Sequence, residues 1–153
     1  MREELFDKQK NQNVPYSLHD AVITELKMRG ETVELTLKDG ITETREPYRK
    51  TGPVRIELRS VDPDLCDVTV LRIANKKHKE RLKGSRLPLA DFVRRGAGGR
   101  ITVVSEQHGY NLVRFNGFMF VKARGRRKLK MTEVEITVYY FGDMVYLFKE
   151  EEA

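Results

Sequence analysis

The sequence predicts a mainly-β (α+β) fold in which antiparallel meanders form a curled sheet, sandwich or half-barrel, with one short helix near residues 88–95. Three observations predict it. Apolar and polar residues alternate with period two across 32–38 and again from Thr132 to Tyr140, the pattern of half-buried strands. Pairs that favour tight turns, Asp39-Gly40, Asn116-Gly117 and Gly142-Asp143, punctuate these runs. Only Leu87 to Gly96 carries apolar residues at helical spacing, which argues against alternating β and α units.

The elements follow in order. Met1 to Asn13 is polar and aperiodic, so 1–13 is expected to be a flexible segment with at most a frayed helical turn. The single domain is then 14–148, and 149–153 is a solvated tail. Strand one covers Ala21 to Met28, with Val22, Leu26 and Met28 on one face. Arg29-Gly30 turns the chain into strand two, where Val33, Leu35 and Leu37 point inward. Asp39-Gly40 should close a hairpin, with Ile41 to Arg45 returning beside it. Pro47 and Gly52-Pro53 interrupt the pattern before Val54, Ile56 and Leu58 alternate as strand four. Val61-Asp-Pro-Asp64 is a turn, and Cys66 to Ile73, apolar on both faces, reads as a strand buried on both sides.

Asn75 to Arg86 is a charge run, expected as a solvated connector or a short exposed helix. In the helix that follows, Pro88 suits a first turn, Leu89, Phe92 and Val93 sit at i, i+3 and i+4, and Gly96 can end it. Ile101 to Ser105 and Asn111 to Phe115 pair around Glu106 to Tyr110, and Asn116-Gly117 then turns the chain again. The stretch from Phe118 to Phe148 is expected to be a meander, with Arg124 to Lys130 as a cationic loop and Gly142-Asp143 as its last hairpin turn.

Composition bounds the function. The chain has 153 residues, net charge +6 and one cysteine, Cys66, so no disulfide can form within it. No apolar run approaches the roughly 20 residues that span a bilayer, and no apolar signal segment follows Met1. A cytoplasmic location without membrane contact is therefore expected. The charge is lopsided: Arg72 to Lys130 holds 17 lysines and arginines against three acids, and the remainder 12 against 20. Such asymmetry speaks to partners more than to fold.

Chemistry-bearing residues are sparse. The candidate polar cluster is His19, Asp20, Glu106 and His108. Its ordinary explanation is a turn in which Asp20 caps nearby amides, and a Glu-x-His pair in a loop. Cys66, in an apolar run, reads as a small core side chain. There is no Cys-x-x-Cys or His-x-x-x-His spacing, and His78 sits among cations, so neither a metal nor a cofactor is expected. Gly96 to Gly99 follows a helix instead of opening one and lacks a Gly-Lys-Ser/Thr ending, so it is no phosphate loop. No catalytic set emerges.

The cationic surface rises above this background. One run carries Lys76, Lys77, Lys79, Arg81 and Lys83, the helix end carries Arg94 and Arg95, and a second run carries Arg124, Arg126, Arg127, Lys128 and Lys130. Brought together, these would line phosphates. Phe115, Phe118 and Phe120 stand beside the second run, although their ordinary explanation is core packing. Leu18-His19-Asp20-Ala21, followed by the Gly30 turn, an alternating strand and Asp39-Gly40, resembles the opening of small bacterial mainly-β domains. Leu87-Pro-Leu-Ala-Asp-Phe92 with Gly109-Tyr110 is similar to a later segment of the same group. Some of those relatives are immunity proteins that neutralise toxins. The resemblance implies a mainly-β fold with no known enzymatic activity, and it transfers no functional residue. Immunity proteins are frequently acidic, whereas this chain is basic.

The expected function is a non-catalytic binding domain acting through protein–protein contact, immunity-like in kind. The alternative is a nucleic-acid-binding domain using the basic 72–130 region. Exposed strand edges also lead to an expected homodimer.

Overall fold

A computed structural model describes residues 2–6, 14–76, 79–95, 100–122 and 129–149, with 72–76, 79–83, 122 and 129 described by backbone alone. It is mainly β, 63% strand, and among the described residues the antiparallel sheets do not close into a barrel and there is one short α-helix. The strands are β1 (Arg2–Phe6), β2 (Tyr16–Ser17), β3 (Val22–Ile23), β4 (Glu25–Arg29), β5 (Thr32–Leu37), β6 (Thr42–Glu43) and β7 (Val54–Leu58). They continue as β8 (Asp67–Lys76), β9 (Lys79–Pro88), β10 (Ile101–Gly109), β11 (Leu112–Lys122), β12 (Leu129–Tyr139) and β13 (Met144–Phe148). The helix, α1, is Leu89–Arg94.

Two sheets share one core. The first runs β1-β13-β7-β5-β4 and the second β3-β10-β11-β12-β8-β9, while β2 and β6 form a small separate pair. Val33, Leu35, Leu37 and Ile56 from the first pack in one buried cluster with Val68, Phe115, Val134, Ile136 and Val138 from the second. Period-two alternation is what gives each sheet a continuous apolar face. In α1, Leu89 and Phe92 are buried, and the helix packs on β4 and on β8–β9, so it covers one side of the sandwich.

Several turns connect elements differently from the local signals. Residues 1–13 were expected to be unpaired, yet Arg2–Phe6 pairs with β13, a contact between the two ends of the chain. The run expected as one strand from Ala21 breaks at Thr24: β3 joins the second sheet and β4 the first. Asp39-Gly40 does turn, with Gly40 at φ +81, but the returning chain leaves the sheet. Thr51 N–H donates to the Ile41 carbonyl at 2.7 Å, and β7 takes the place beside β5.

Gly142-Asp143 likewise closes no hairpin. It carries the chain from β12 in one sheet to β13 in the other, with Gly142 N–H donating to the Arg59 carbonyl at 3.0 Å. Asn116-Gly117 is no turn either. Both residues lie within β11, where a Cβ on Gly117 would collide with the Thr102 carbonyl of β10, beside a bulge between Val103 and Ser105. The turn between β10 and β11 is Tyr110-Asn111, with Asn111 at φ 54. Cys66 itself precedes β8, and among the described side chains of that strand Val68 is fully buried while Thr69, Val70 and Leu71 are half-buried, so burial on both faces is not seen there.

Candidate functional site

The largest departure from the local reading is the most consequential. The described residues of the run from Asn75 to Arg86 form neither connector nor helix. Asn75 and Lys76 end β8, and Lys79 to Arg86 belong to β9, which pairs with β8 from Asp67↔Pro88 out to Lys76↔Lys79. Beside this hairpin lies a second one, β11–β12, paired from Leu112↔Tyr139 out to Lys122↔Leu129. The two hairpins are joined by rungs between β12 and β8, from Thr137↔Asp67 to Glu133↔Leu71. No further rung joins them among the described residues, and the last rung between β10 and β11 is Thr102↔Phe118.

Both hairpins therefore run on past the body of the sheet at the same end. Five rungs of the first hairpin and four of the second lie past the last joining rung, about 13–17 Å at the rise of a β-strand, and of these Met119↔Thr132 is still buried. Arg72 to Lys83, the first arm with its connection, holds six lysines and arginines and one acid. Met119 to Thr132, the second, holds six and none. Lys76, Lys79, Arg81 and Lys83 lie on the first arm and Lys130 is exposed on the second. Lys77 and the group Arg124, Arg126, Arg127 and Lys128 lie outside the described residues, within the connections between paired strands. Arg94 and Arg95 are not brought to this end, because they follow the Pro88 end of β9 and the arms begin at its Lys79 end.

The parity of β11 separates the three phenylalanines. Phe115 is a core residue at 1% exposure. Phe118 and Phe120, an odd number of positions away, fall on the opposite, outward face. Phe120 is 59% exposed and lies across from Met131, also 59% exposed. The Phe118 and Phe120 rings meet edge to face, 5.9 Å apart at 84°. Glu133 stands opposite Phe118, and Val121 and Lys130 form the rung on the other face of the ribbon. The core reading of Phe118 and Phe120 is thus overturned by register alone.

The polar cluster divides in two. Glu106 and His108 sit in the second sheet with side chains only 12% and 15% exposed, their carboxylate and ring 3.0 Å apart. The other oxygen of Glu106 accepts from Leu18 N–H at 2.8 Å, and Asp20 N–H donates to the Val103 carbonyl at 2.9 Å. These bonds fasten the 18–20 turn onto β10. His108 packs edge-on against Phe6, 5.7 Å away. His19 and Asp20 face outward instead, 3.1 Å from each other and largely exposed, with Asp20 at φ 64. They line an open cleft of about 420 Å³ with Ser17, Asp39 and Lys50. The buried half of the cluster thus acts as a clamp on the 18–20 turn.

Cys66 is buried, its thiol donating to the Asp62 carbonyl at 3.1 Å and accepting from Tyr139 N–H at 3.3 Å. Burial raises its pKa, which keeps the reactive thiolate scarce. Among the described residues no group of three or more histidines, cysteines or acids is placed to hold a metal ion. No helix among them is long and apolar enough to cross a membrane. No protein-family model, curated protein or solved structure matches the chain.

Proposed function

We propose that the protein is a non-catalytic binding domain that grips nucleic acid with the two cationic hairpin arms. The observation that carries this reading is their placement side by side at one end of the sheet, which among the described residues brings Arg72, Lys76, Lys79, Arg81, Lys83, Lys122 and Lys130 together from two separate stretches against one acid, Glu80. The competing structural explanation is that β9 is an edge strand guarded by charge. Edge protection accounts for the cations of β9, whereas Lys122 and Lys130 lie on β11 and β12, interior strands of the same sheet. A dense array of lysine and arginine binds phosphates chiefly by releasing their counterions, so affinity falls steeply with salt. Binding of a fluorescein-labelled oligonucleotide, measured from about 50 to about 200 mM salt, tests the reading. Lys76→Ala combined with Lys130→Ala should weaken binding and flatten the salt slope by about one to two. Arg94→Ala combined with Arg95→Ala should change little. No binding at about 50 mM salt, or equal losses in the two variants, contradicts the proposal.

A specific observation favours a second reading, protein–protein contact, the role implied by the resemblance to immunity-like domains. Tyr110 and Phe141 are 90% and 57% exposed at the end of the sheet opposite the arms. A second copy is one partner such a patch would suit. Sedimentation tests this: a dimer that dissociates on Tyr110→Ser with Phe141→Ser supports it, and a 17.8 kDa species alone at high concentration speaks against it.

A further inference from the structure

Resting on the nucleic-acid reading, we infer that the ligand is single-stranded and that an unpaired base stacks on Phe120, with Phe118 and Met131 as its supports. Large exposed apolar side chains are ordinary when scattered. These three are not scattered: Phe120 and Met131 are cross-strand partners, and Phe118 is the next outward position along β11. The edge-to-face contact between the two rings fixes their orientation while leaving Phe120 mostly open to solvent. An aromatic ring exposed on a sheet offers a base a π-face to stack on, and Lys122 follows two positions further along β11.

A duplex cannot use such a platform, because its base faces are already occupied by their neighbours and only the edges show in the grooves. A single strand can, since its bases splay freely. Because the two rings cross at 84°, Phe120 offers the stacking face and Phe118 buttresses it from the side. The path is also polar further down the face. Asn116 is the next outward position, and its amide donates to Ser105 Oγ at 3.3 Å. Two carboxylates on this face are unfavourable, Glu133 opposite Phe118 and Glu135 opposite Asn116, the latter 3.2 Å from Arg114.

The chain contains no tryptophan, so Phe120→Trp introduces a lone reporter at the platform. The test titrates labelled dT and rU oligomers of about 15 nucleotides, and a duplex of the same length, into the wild type, Phe120→Ala and Phe120→Trp. Expected are tighter binding of the single strands than of the duplex, a loss of about tenfold in Phe120→Ala, and retained affinity with quenched tryptophan emission in Phe120→Trp. Unchanged affinity in Phe120→Ala, with salt dependence intact, overturns the stacking platform and leaves the cationic arms standing. A duplex bound as tightly as the single strands overturns single-strand selectivity. Absence of any binding at about 50 mM salt instead removes the arms themselves as a nucleic-acid site.

Discussion

Glu133 lies opposite Leu71 at the rung where β12 and β8 part company, so one carboxylate marks the root of both cationic arms. Its position against the proposed strand path sets up a repulsion with phosphate. Glu133→Gln should therefore tighten oligonucleotide binding by about two- to fivefold near 50 mM salt, and the gain should fade as screening increases. Weaker binding in this variant would place the nucleic acid elsewhere.

Gly117 stands where the Thr102 carbonyl of β10 approaches β11 most closely. Gly117→Ala forces the two strands apart and should cost about 1–3 kcal/mol in urea unfolding, in the range of overpacking substitutions. Gly52→Ala is the control, because nothing lies within 4 Å of the added methyl. Equal stability of the two variants would refute the close approach.

Glu106 secures the 18–20 turn through Leu18 N–H and also meets His108. Glu106→Ala leaves that amide without its carboxylate acceptor and should destabilise the fold by about 1–3 kcal/mol. Glu106→Gln keeps an acceptor oxygen and should lose less. His19→Ala, at an exposed side chain, should stay within about 0.5 kcal/mol. Comparable losses for His19→Ala and Glu106→Ala would mean that the four polar residues act as one unit after all.

Three buried phenols make stability sensitive to alkali. Burial pushes Tyr140 up to about 12. Burial and then Glu106 raise Tyr146 further, while burial and the neighbouring Glu4 raise Tyr16. In the unfolded chain tyrosine ionises near pH 10, so above that the unfolded state sheds protons that the folded state keeps. Stability is complete below about pH 10 and should be lost as pH rises toward about 12. Urea midpoints should drop from about pH 9 to about pH 11, with phenolate absorbance rising cooperatively with unfolding. A midpoint that does not move would contradict the burial of these phenols.

The strands were largely legible because alternation is local. Thr32 to Leu37, Val54 to Leu58 and Thr132 to Tyr140 bury the residues the period assigns to the inside. Partner choice was not legible, because it depends on chain distant in sequence. Gly142-Asp143 looks like a hairpin turn and connects two sheets, and Arg2–Phe6 is a strand only because β13 offers it an edge. The site was half visible. The cations stood out by composition, but their dense charge hid the strand character of Lys79 to Pro88. Phe118 and Phe120 passed as core because Phe115 is core; counting parity from Phe115 would have turned them outward. Met131 carried no signal until its rung with Phe120 was known.

Amide hydrogen exchange with and without a dT oligomer tests the central claim most directly, because it locates the ligand without altering a residue. Two neighbouring arms acting together predict slowed exchange across 72–83 and 119–132 and little change around Tyr110 and Phe141. Protection confined to one hairpin, or concentrated at the Tyr110 and Phe141 end, would contradict it.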